Sequence, residues 1–289
     1  MSLLVTGASG FVGSHLLDYL KHRTGLTCYG LSRKHPDDAL IHVCDLADRS
    51  RVEETIRRLK PELIFHMAGS FSNDFTTDFG NNVLAARHLL DAVTAAELPA
   101  RILLMGSAAE YGDLAPEQSP VAETQVLRPV SVYGWTKAAQ TQLATLYAST
   151  FGLDVMVARS FNLLGRGISE KLFVGNVQKQ IDAVLAGERN GISVGRLDAE
   201  RDYIDIHDAC ALYYAIATQG AAGEVYNVGS GRPVSMRALL HGMLHDAGLD
   251  ESIVVEDGAG KSTPHAQVST IYADIGKVSA LAHDVQRSA

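Results

Sequence analysis

Thr6-Gly7-Ala8-Ser9-Gly10-Phe11-Val12-Gly13 is the stretch on which the reading of the fold turns. It follows the apolar run 3–5 and opens a segment, 14–23, in which Leu16, Leu17 and Leu20 share one helical face. Glycines spaced three and three between a strand and a helix predict a dinucleotide-binding turn. Gly7 permits the tight bend, Gly10 lets the backbone approach a pyrophosphate, and Gly13 lets the helix pack on the strand. The free N–H groups at the helix start then face the anion. Thr6, Phe11 and Val12 complete the expected cofactor contacts of this loop. A glycine-rich turn with no ligand is the bland alternative, and the placement between strand and helix argues against it.

Working outward, apolar runs alternate with amphipathic stretches. Strands are predicted over 27–31, 63–66, 101–105 and 155–158, and helices over 51–59, 82–96 and 135–150. Strand, helix, strand, helix predicts an α/β fold, a Rossmann-type doubly wound parallel sheet. After Ser160 the rhythm loosens. A break runs from Gly165 to Gly167, a helix over 176–185 ends at Gly187, and a strand over 224–228 precedes a helix near 236–245. The expected layout is a nucleotide domain, 1–160, to which a segment at about 190–225 returns, and a smaller substrate-binding lobe made mainly from 161–289.

Bulk properties agree. At about 150 residues per domain, 289 residues make two units or one large α/β unit. A net charge of −8 makes a non-specific nucleic-acid binder a poor expectation. No apolar run approaches the roughly 18 residues of a membrane helix. The opening Met-Ser-Leu-Leu-Val-Thr-Gly runs straight into a strand with no export leader, so a cytoplasmic protein is expected. Cys28, Cys44 and Cys210 are odd in number and far apart, which suits reduced core thiols.

The second strand ends Gly30-Leu31-Ser32-Arg33-Lys34. An NAD-selective site usually places an acid here for the ribose 2′-hydroxyl. A hydroxyl and two cations instead favour a 2′-phosphate, hence NADP(H), with NAD(H) and a merely solvated basic turn as alternatives. Asp45 and Leu46 are placed to bracket the adenine. Met67, Ala68 and Gly69 follow a strand at the sheet's C-terminal edge, where a dinucleotide lies.

Tyr133-Gly134-Trp135-Thr136-Lys137 sets a phenol and an ammonium one helical turn apart. A nearby cation lowers a phenol's pKa, so Tyr133 is the expected acid/base and Lys137 its activator. Ser107, at a strand end, is expected to hydrogen-bond the same substrate oxygen.

Together these segments resemble the extended short-chain dehydrogenase/reductases, in their nucleotide-sugar epimerase/dehydratase branch. The glycine loop, Asp45-Leu46, Asn81-Asn82-Val83, Ser107 with Tyr111-Gly112, Tyr133-Gly134 with Lys137, and Arg201-Asp202-Tyr203-Ile204-Asp205 carry the resemblance over about residues 1–240. It implies hydride transfer at the nicotinamide, Tyr133 and Lys137 as cofactor residues too, with Lys137 on the nicotinamide ribose, Asn82 and Ser160 as further cofactor residues, and a homodimer built from paired helices. Leu143, Leu146 and Tyr147 mark an apolar face that is either core or that interface.

Ala108 and Ala109 stand where the family's dehydratases carry acids, so elimination lacks its acid/base; Glu110 falls one place late and is expected to turn away. The longer stretches resemble reductases of GDP-linked 4-keto-6-deoxymannose. That resemblance implies a GDP-D-rhamnose product, Ala108, Asn162 and Val174 against the nucleotide sugar, and Arg201 on its pyrophosphate. An ion pair of Arg201 with Asp202 or Asp205 is the bland alternative. Departures are Arg166 and Arg196, cations where those reductases usually have Pro and Asn. A late Arg-Pro contact is replaced at best by Lys261 beside Pro264, and the usual closing segment is missing. Arg196 is accordingly counted with the substrate residues. An NAD-retaining nucleotide-sugar 4-epimerase and a non-catalytic NADP(H) sensor remain the alternatives. His241 and His245 lack a metalloprotease glutamate, Gly260-Lys261-Ser262 lacks its upstream glycine, and Asp202, Asp205 and Asp208 read as structural, so no metal is expected.

Overall fold

The structure is a computed structural model that describes residues 2–34, 38–256 and 270–287. Its first half alternates strands β1 (Ser2–Thr6), β2 (Thr27–Ser32), β3 (Ile41–Val43), β4 (Leu63–His66), β5 (Arg101–Ser107) and β6 (Asp154–Ser160) with helices. Those helices are α1 (Phe11–Thr24), α2 (Arg49–Leu59), α3 (Phe75–Asp78), α4 (Ala85–Ala95) and α5 (Val132–Phe151). The chain continues through β7 (Asn162–Leu164), α6 (Phe173–Leu185), β8 (Ile192–Val194), β9 (Glu200–Asp205), α7 (Ile206–Gln219) and β10 (Val225–Val228). It closes with β11 (Pro233–Ser235), α8 (Met236–Asp246), β12 (Val254–Glu256), β13 (Thr270–Ile271) and α9 (Gly276–Arg287).

Seven parallel strands form the main sheet in the order β10-β6-β5-β4-β1-β2-β3. Both faces are covered, so the strands read as continuous apolar runs. Successive side chains feed opposite cores. Leu3 and Val5 pack with Leu16, Leu20, Ile206 and Ile216 from α1 and α7, whereas Leu4 packs with Ile56, Leu89 and Tyr147 from α2, α4 and α5. The strand order reverses at β1, which opens a crevice between the C-terminal ends of β1 and β4.

Several boundaries differ from the expected ones, each for a local reason. Helix α5 starts three residues early because the Ser131 hydroxyl accepts the Gly134 N–H at 3.0 Å, which puts Tyr133 in its first turn. The helix expected over 82–96 is α3, a π-helical turn at Phe79–Leu84 and then α4. Strand β5 runs on to Ser107, paired with Ser160 at the end of β6.

Beyond β6 the chain leaves the main sheet and returns to it as β10, with α7 packed against α1. Strands β7, β9, β11 and β13 make a smaller sheet, and β8 pairs with β12. Val177, Ile181, Ile192, Leu240 and Leu244 form a separate core between α6, β8 and α8. The three cysteines are buried and free. Among the described residues no helix is long and apolar enough to cross a membrane.

Candidate active site

A cleft of about 600 Å³ opens where the glycine loop, the ends of β4, β5 and β6, and the start of α5 converge. Gly7, Gly10, Phe11, Val12 and Gly13 line one side of it. Gly7 sits at φ +68°, and a Cβ there would lie 2.8 Å from the Ala68 nitrogen. A Cβ on Gly13 would lie 2.2 Å from the Gly7 oxygen, so no side chain fits either place. Gly10 caps α1 with no side-chain hydrogen bond, and the first turn of α1 carries no acid. Its N–H groups therefore face the cleft with no competing anion, which fits a dinucleotide pyrophosphate.

Thr6 and Ala68 stand behind this surface. The buried Thr6 hydroxyl pairs with His66 Nδ1 at 2.9 Å and accepts the Ala68 N–H at 3.2 Å, tying β1 to β4, while Met67 and Gly69 face the cleft. Burial pulls the His66 imidazole down to about 3, so it is neutral. Ser32 lies at the end of β2, where its hydroxyl donates to Ser9 at 3.0 Å and accepts the Lys34 N–H at 3.1 Å. Arg33 and Lys34 are exposed beside it. Asp45 accepts the Ala47 N–H, and Leu46 is buried with its carbonyl bonded to His88. These five residues lie outside the 600 Å³ cleft itself.

Asn82 requires a correction. It is fully buried and is not among the residues that line this cleft. Its oxygen accepts the Ser70 N–H at 2.8 Å, and its amide donates to the Ser70 carbonyl and the Thr136 hydroxyl, both at 2.9 Å. It holds the cleft wall rather than a ligand. Asp78, which sequence reasoning missed, does similar work. Its buried carboxylate accepts from the Ser70 and Ser72 hydroxyls and from the Ser72 and Asn73 N–H groups at 2.7–2.9 Å. Burial raises its pKa, but these donors together hold it below the usual carboxylate value. The shaped loop brings Phe71 edge-on to the Tyr133 ring at 6.2 Å. The only available signal was a run of Ser and Asn ahead of an Asp.

Ser107, Tyr133, Lys137 and Ser160 all line the cleft. The Ser107 hydroxyl accepts the Ala109 N–H at 3.2 Å, and Ser160 shares a hydrogen bond with the Tyr213 hydroxyl at 2.8 Å. Lys137 is buried, and its Nζ donates to the Met105 carbonyl at 2.7 Å and to Gln140 Oε1 at 2.9 Å. Burial pushes Tyr133 up to about 12, with a Ser107 hydrogen bond opposing the rise, and pulls Lys137 down to about 8. Two of the ammonium's three donors go to β5 and Gln140, and the i, i+4 spacing sets the two groups on one helix.

On the substrate side, Ala108, Asn162, Val174 and Arg201 line the cleft. The Asn162 amide donates to the Asp202 carbonyl at 2.9 Å. Arg201 donates to the Glu200 carbonyl at 2.8 Å, and burial pulls its guanidinium pKa down. The Asp202 carboxylate accepts the Ser230, Gly231 and Ala273 N–H groups, and Asp205 caps α7. Arg196 does not line the cleft. It is exposed and paired with Asp198 at 3.0 Å, because the turn after β8 points it to solvent. Arg166 lines a second cavity of about 700 Å³ with Lys179 and Asp182, and that cavity meets the cleft at Ile168 and Val174. His241 pairs with Glu251 at 2.9 Å. Lys261, Pro264 and the segment 260–262 lie outside the described residues.

Glu110 turns inward, fully buried, to the Ser107 N–H and Arg159. Among the described residues the cleft lining holds Tyr133, Tyr203, Lys137 and Arg201 but no carboxylate and no imidazole.

A doubly wound sheet with a glycine loop at its switch point and Ser, Tyr and Lys converging beside it defines a nicotinamide-dependent oxidoreductase. The chain belongs to the NAD dependent epimerase/dehydratase family, whose pattern matches residues 3–229, and is thus an extended short-chain dehydrogenase/reductase. It is 31% identical over 266 residues to a GDP-6-deoxy-D-mannose reductase of Pseudomonas aeruginosa, covering 89% of this chain and 83% of that protein. It is 29% identical to a dTDP-6-deoxy-L-talose 4-dehydrogenase (NAD(P)(+)) of Kitasatospora kifunensis, over 93% and 87% of the two chains. The solved structure of RMD from Pseudomonas aeruginosa complexed with NADPH superposes with a TM-score of 0.84 at 27% identity, over 98% of this chain and 91% of that one.

Proposed function

We propose that the protein is an NADPH-dependent reductase of the C4 ketone of a nucleotide-diphospho-4-keto-6-deoxy sugar, GDP-4-keto-6-deoxy-D-mannose being the leading substrate and GDP-D-rhamnose the product. One observation carries this reading: Ser107, Tyr133 and Lys137 share a cleft in which Ala108 and Ala109 stand beside them and no described lining residue is a carboxylate or imidazole. A ketone reduction needs one proton donor. An elimination needs a further acid/base, which this lining does not offer.

The bound cofactor supplies the hydride. Gly7, Gly10 and the N–H groups of α1 hold its pyrophosphate, and Ser32, Arg33 and Lys34 favour a 2′-phosphate. Ser107 holds the ketone oxygen. The Tyr133 phenol, kept protonated by burial, gives its proton to that oxygen as the C–O bond becomes an alcohol. Lys137 steadies α5 on β5, and its Nζ lines the cleft with one donor beyond those given to Met105 and Gln140. Arg201 pairs with the sugar nucleotide's diphosphate, and Asn162 and Val174 flank it. The second cavity, reached past Val174, gives the nucleoside room.

The same reading includes a homodimer. Phe75 (54% exposed) and Trp135 (45%) stack with Phe79 on the outside of α3 and α5, and Leu146 is half exposed further along α5. Leu143 and Tyr147 pack in the core instead. Sedimentation of the purified chain at twice the monomer mass is expected; a monomer sinks the dimer.

The function is tested by absorbance of reduced nicotinamide with purified protein and GDP-4-keto-6-deoxy-D-mannose. A substrate-dependent fall, faster with NADPH than NADH, is expected. Failure of both cofactors on this sugar removes it as substrate, and stoichiometric NAD released from the protein would favour a 4-epimerase.

A further inference from the structure

We propose that Glu110 is a positioning residue for the reacting groups, holding Ser107, helix α5 and strand β6 in register through one buried carboxylate. The inference deepens the reductase reading and rests on it. Glu110 Oε1 accepts the Ser107 N–H at 2.8 Å. Its Oε2 accepts the Thr141 hydroxyl at 2.8 Å and Arg159 Nε at 3.0 Å, and forms an ion pair with Arg159 Nη2 at 2.9 Å. The partners belong to three different elements. Ser107 ends β5, Thr141 lies one turn past Lys137 on α5, and Arg159 precedes Ser160 on β6. These are the elements that carry the lining residues Ser107, Tyr133, Lys137 and Ser160.

All four contacts are donors, the partner set of a carboxylate. Arg159 is fixed in turn. Its Nη1 donates to the Tyr111 hydroxyl at 3.0 Å, its guanidinium lies 4.7 Å over the Tyr111 ring, and Tyr111 donates to Asn227 at 2.6 Å. Both members of the pair are nearly dry, at 0% and 2% exposure. Desolvating two charges is costly, and apolar replacements of such pairs are often as stable or more so. Stability alone is thus a weak reason for this pair. What apolar packing lacks is direction: three hydrogen bonds and an ion pair define where one strand tip and one helix stand relative to a third element. Among the described residues the other charged groups around this region are Asp78 from the loop side, Lys137 on α5, and Glu123, whose carbonyl lies 3.5 Å from Arg159 Nη1 and whose carboxylate accepts the Asn227 N–H at 2.9 Å. Asp78 shapes the opposite wall, so the Glu110 and Asp78 carboxylates brace the cleft from two sides.

The test uses the full chain with NADPH and the 4-keto sugar nucleotide, in two variants. The double change Glu110→Met with Arg159→Met removes the pair while filling its volume. Thr141→Val keeps the pair and cuts only the tie to α5. Both are expected to bind NADPH and substrate with wild-type Kd and KM. The double variant should lose roughly ten- to a hundredfold in kcat, the scale set by small misplacements of reacting groups, and Thr141→Val less. A folded double variant with wild-type kcat overturns the proposal. If it does not fold, Thr141→Val decides alone: lower kcat at constant KM supports the role, and unchanged kcat overturns it. If the wild-type chain reduces no such sugar, the reductase reading fails by itself. The positioning role is then decided by the nuclear Overhauser contact between the Ser107 and Tyr133 side chains. It should weaken in both variants, and its persistence at full strength overturns the proposal.

Discussion

The Lys137 ammonium is hydrogen-bonded to the Met105 carbonyl at 2.7 Å, so the helix that carries Tyr133 is fastened to the strand that ends at Ser107. The amine is also one of the most strongly shifted groups of the cleft, and this bears on the pH response.

Burial holds Lys137 at about 8 and Tyr133 at about 12. Over the neutral range the phenol stays protonated and the lysine is the group that changes charge. Reduction should fall as pH rises through about 8, when the cleft loses the positive charge that favours proton release from Tyr133. A pH profile of kcat/KM checks this, and Lys137→Met should remove that limb. The stability sign is opposite. Between about 8 and 10.5 the unfolded chain binds more protons at this residue, so its penalty on folding shrinks with rising pH. Comparing thermal midpoints of the wild type and Lys137→Met from pH 7 to 10 reads it.

Tyr133→Phe keeps the ring against Phe71 and removes only the donor. Turnover should drop by about 10²–10⁴, the range of a lost general acid. NADPH affinity, measured by fluorescence, should hold. A variant retaining near-normal kcat would remove Tyr133 from its role.

Asp78→Asn turns an acceptor of four donors into a group that must present N–H to some of them. Each unmet pairing at a buried site costs about 1–3 kcal/mol. The midpoint of unfolding should fall and KM should rise, because Phe71 and Asn73 would lose their places. Because the folded carboxyl is held below its usual value, the stability Asp78 contributes is present at neutral pH and lost on acidification. The gap between wild type and Asp78→Asn in urea titrations should narrow toward pH 3.

Ser32→Asp places an acid where the 2′-phosphate is proposed to sit, beside Arg33 and Lys34. It should reverse cofactor preference, raising KM for NADPH by tenfold or more, about 1.4 kcal/mol on repulsion, while NADH gains. Steady-state rates with both cofactors decide the point. An unchanged ratio would leave the basic turn a solvated surface.

Much of this was legible before folding. Continuous apolar runs marked the strands of the first half, because both sheet faces are covered and each strand had to be apolar throughout, and period-3.6 patterns marked its helices. The glycine loop was legible because only glycine fits at Gly7 and Gly13. Three things were not. The Tyr-Lys spacing placed both groups on α5 but could not say that Nζ turns to Met105. Asn82 belonged to a family segment, yet its side chain is consumed by Ser70 and Thr136. Arg196 sat in a substrate-like stretch, and a turn sends it to Asp198.

The amino-acid sequence by itself determined the local choices: where strands and helices form, where the chain must bend, and which residue types are available for hydride and proton chemistry. Those depend on neighbours a few residues apart. Only the tertiary structure decided which of those groups are dry, which are already partnered and which face the cleft. Glu110 illustrates why: its four contacts reach residues 107, 141 and 159. Three of those contacts span dozens of residues along the chain, and burial, which sets their strength, exists only once the sheet and its helices have closed over them.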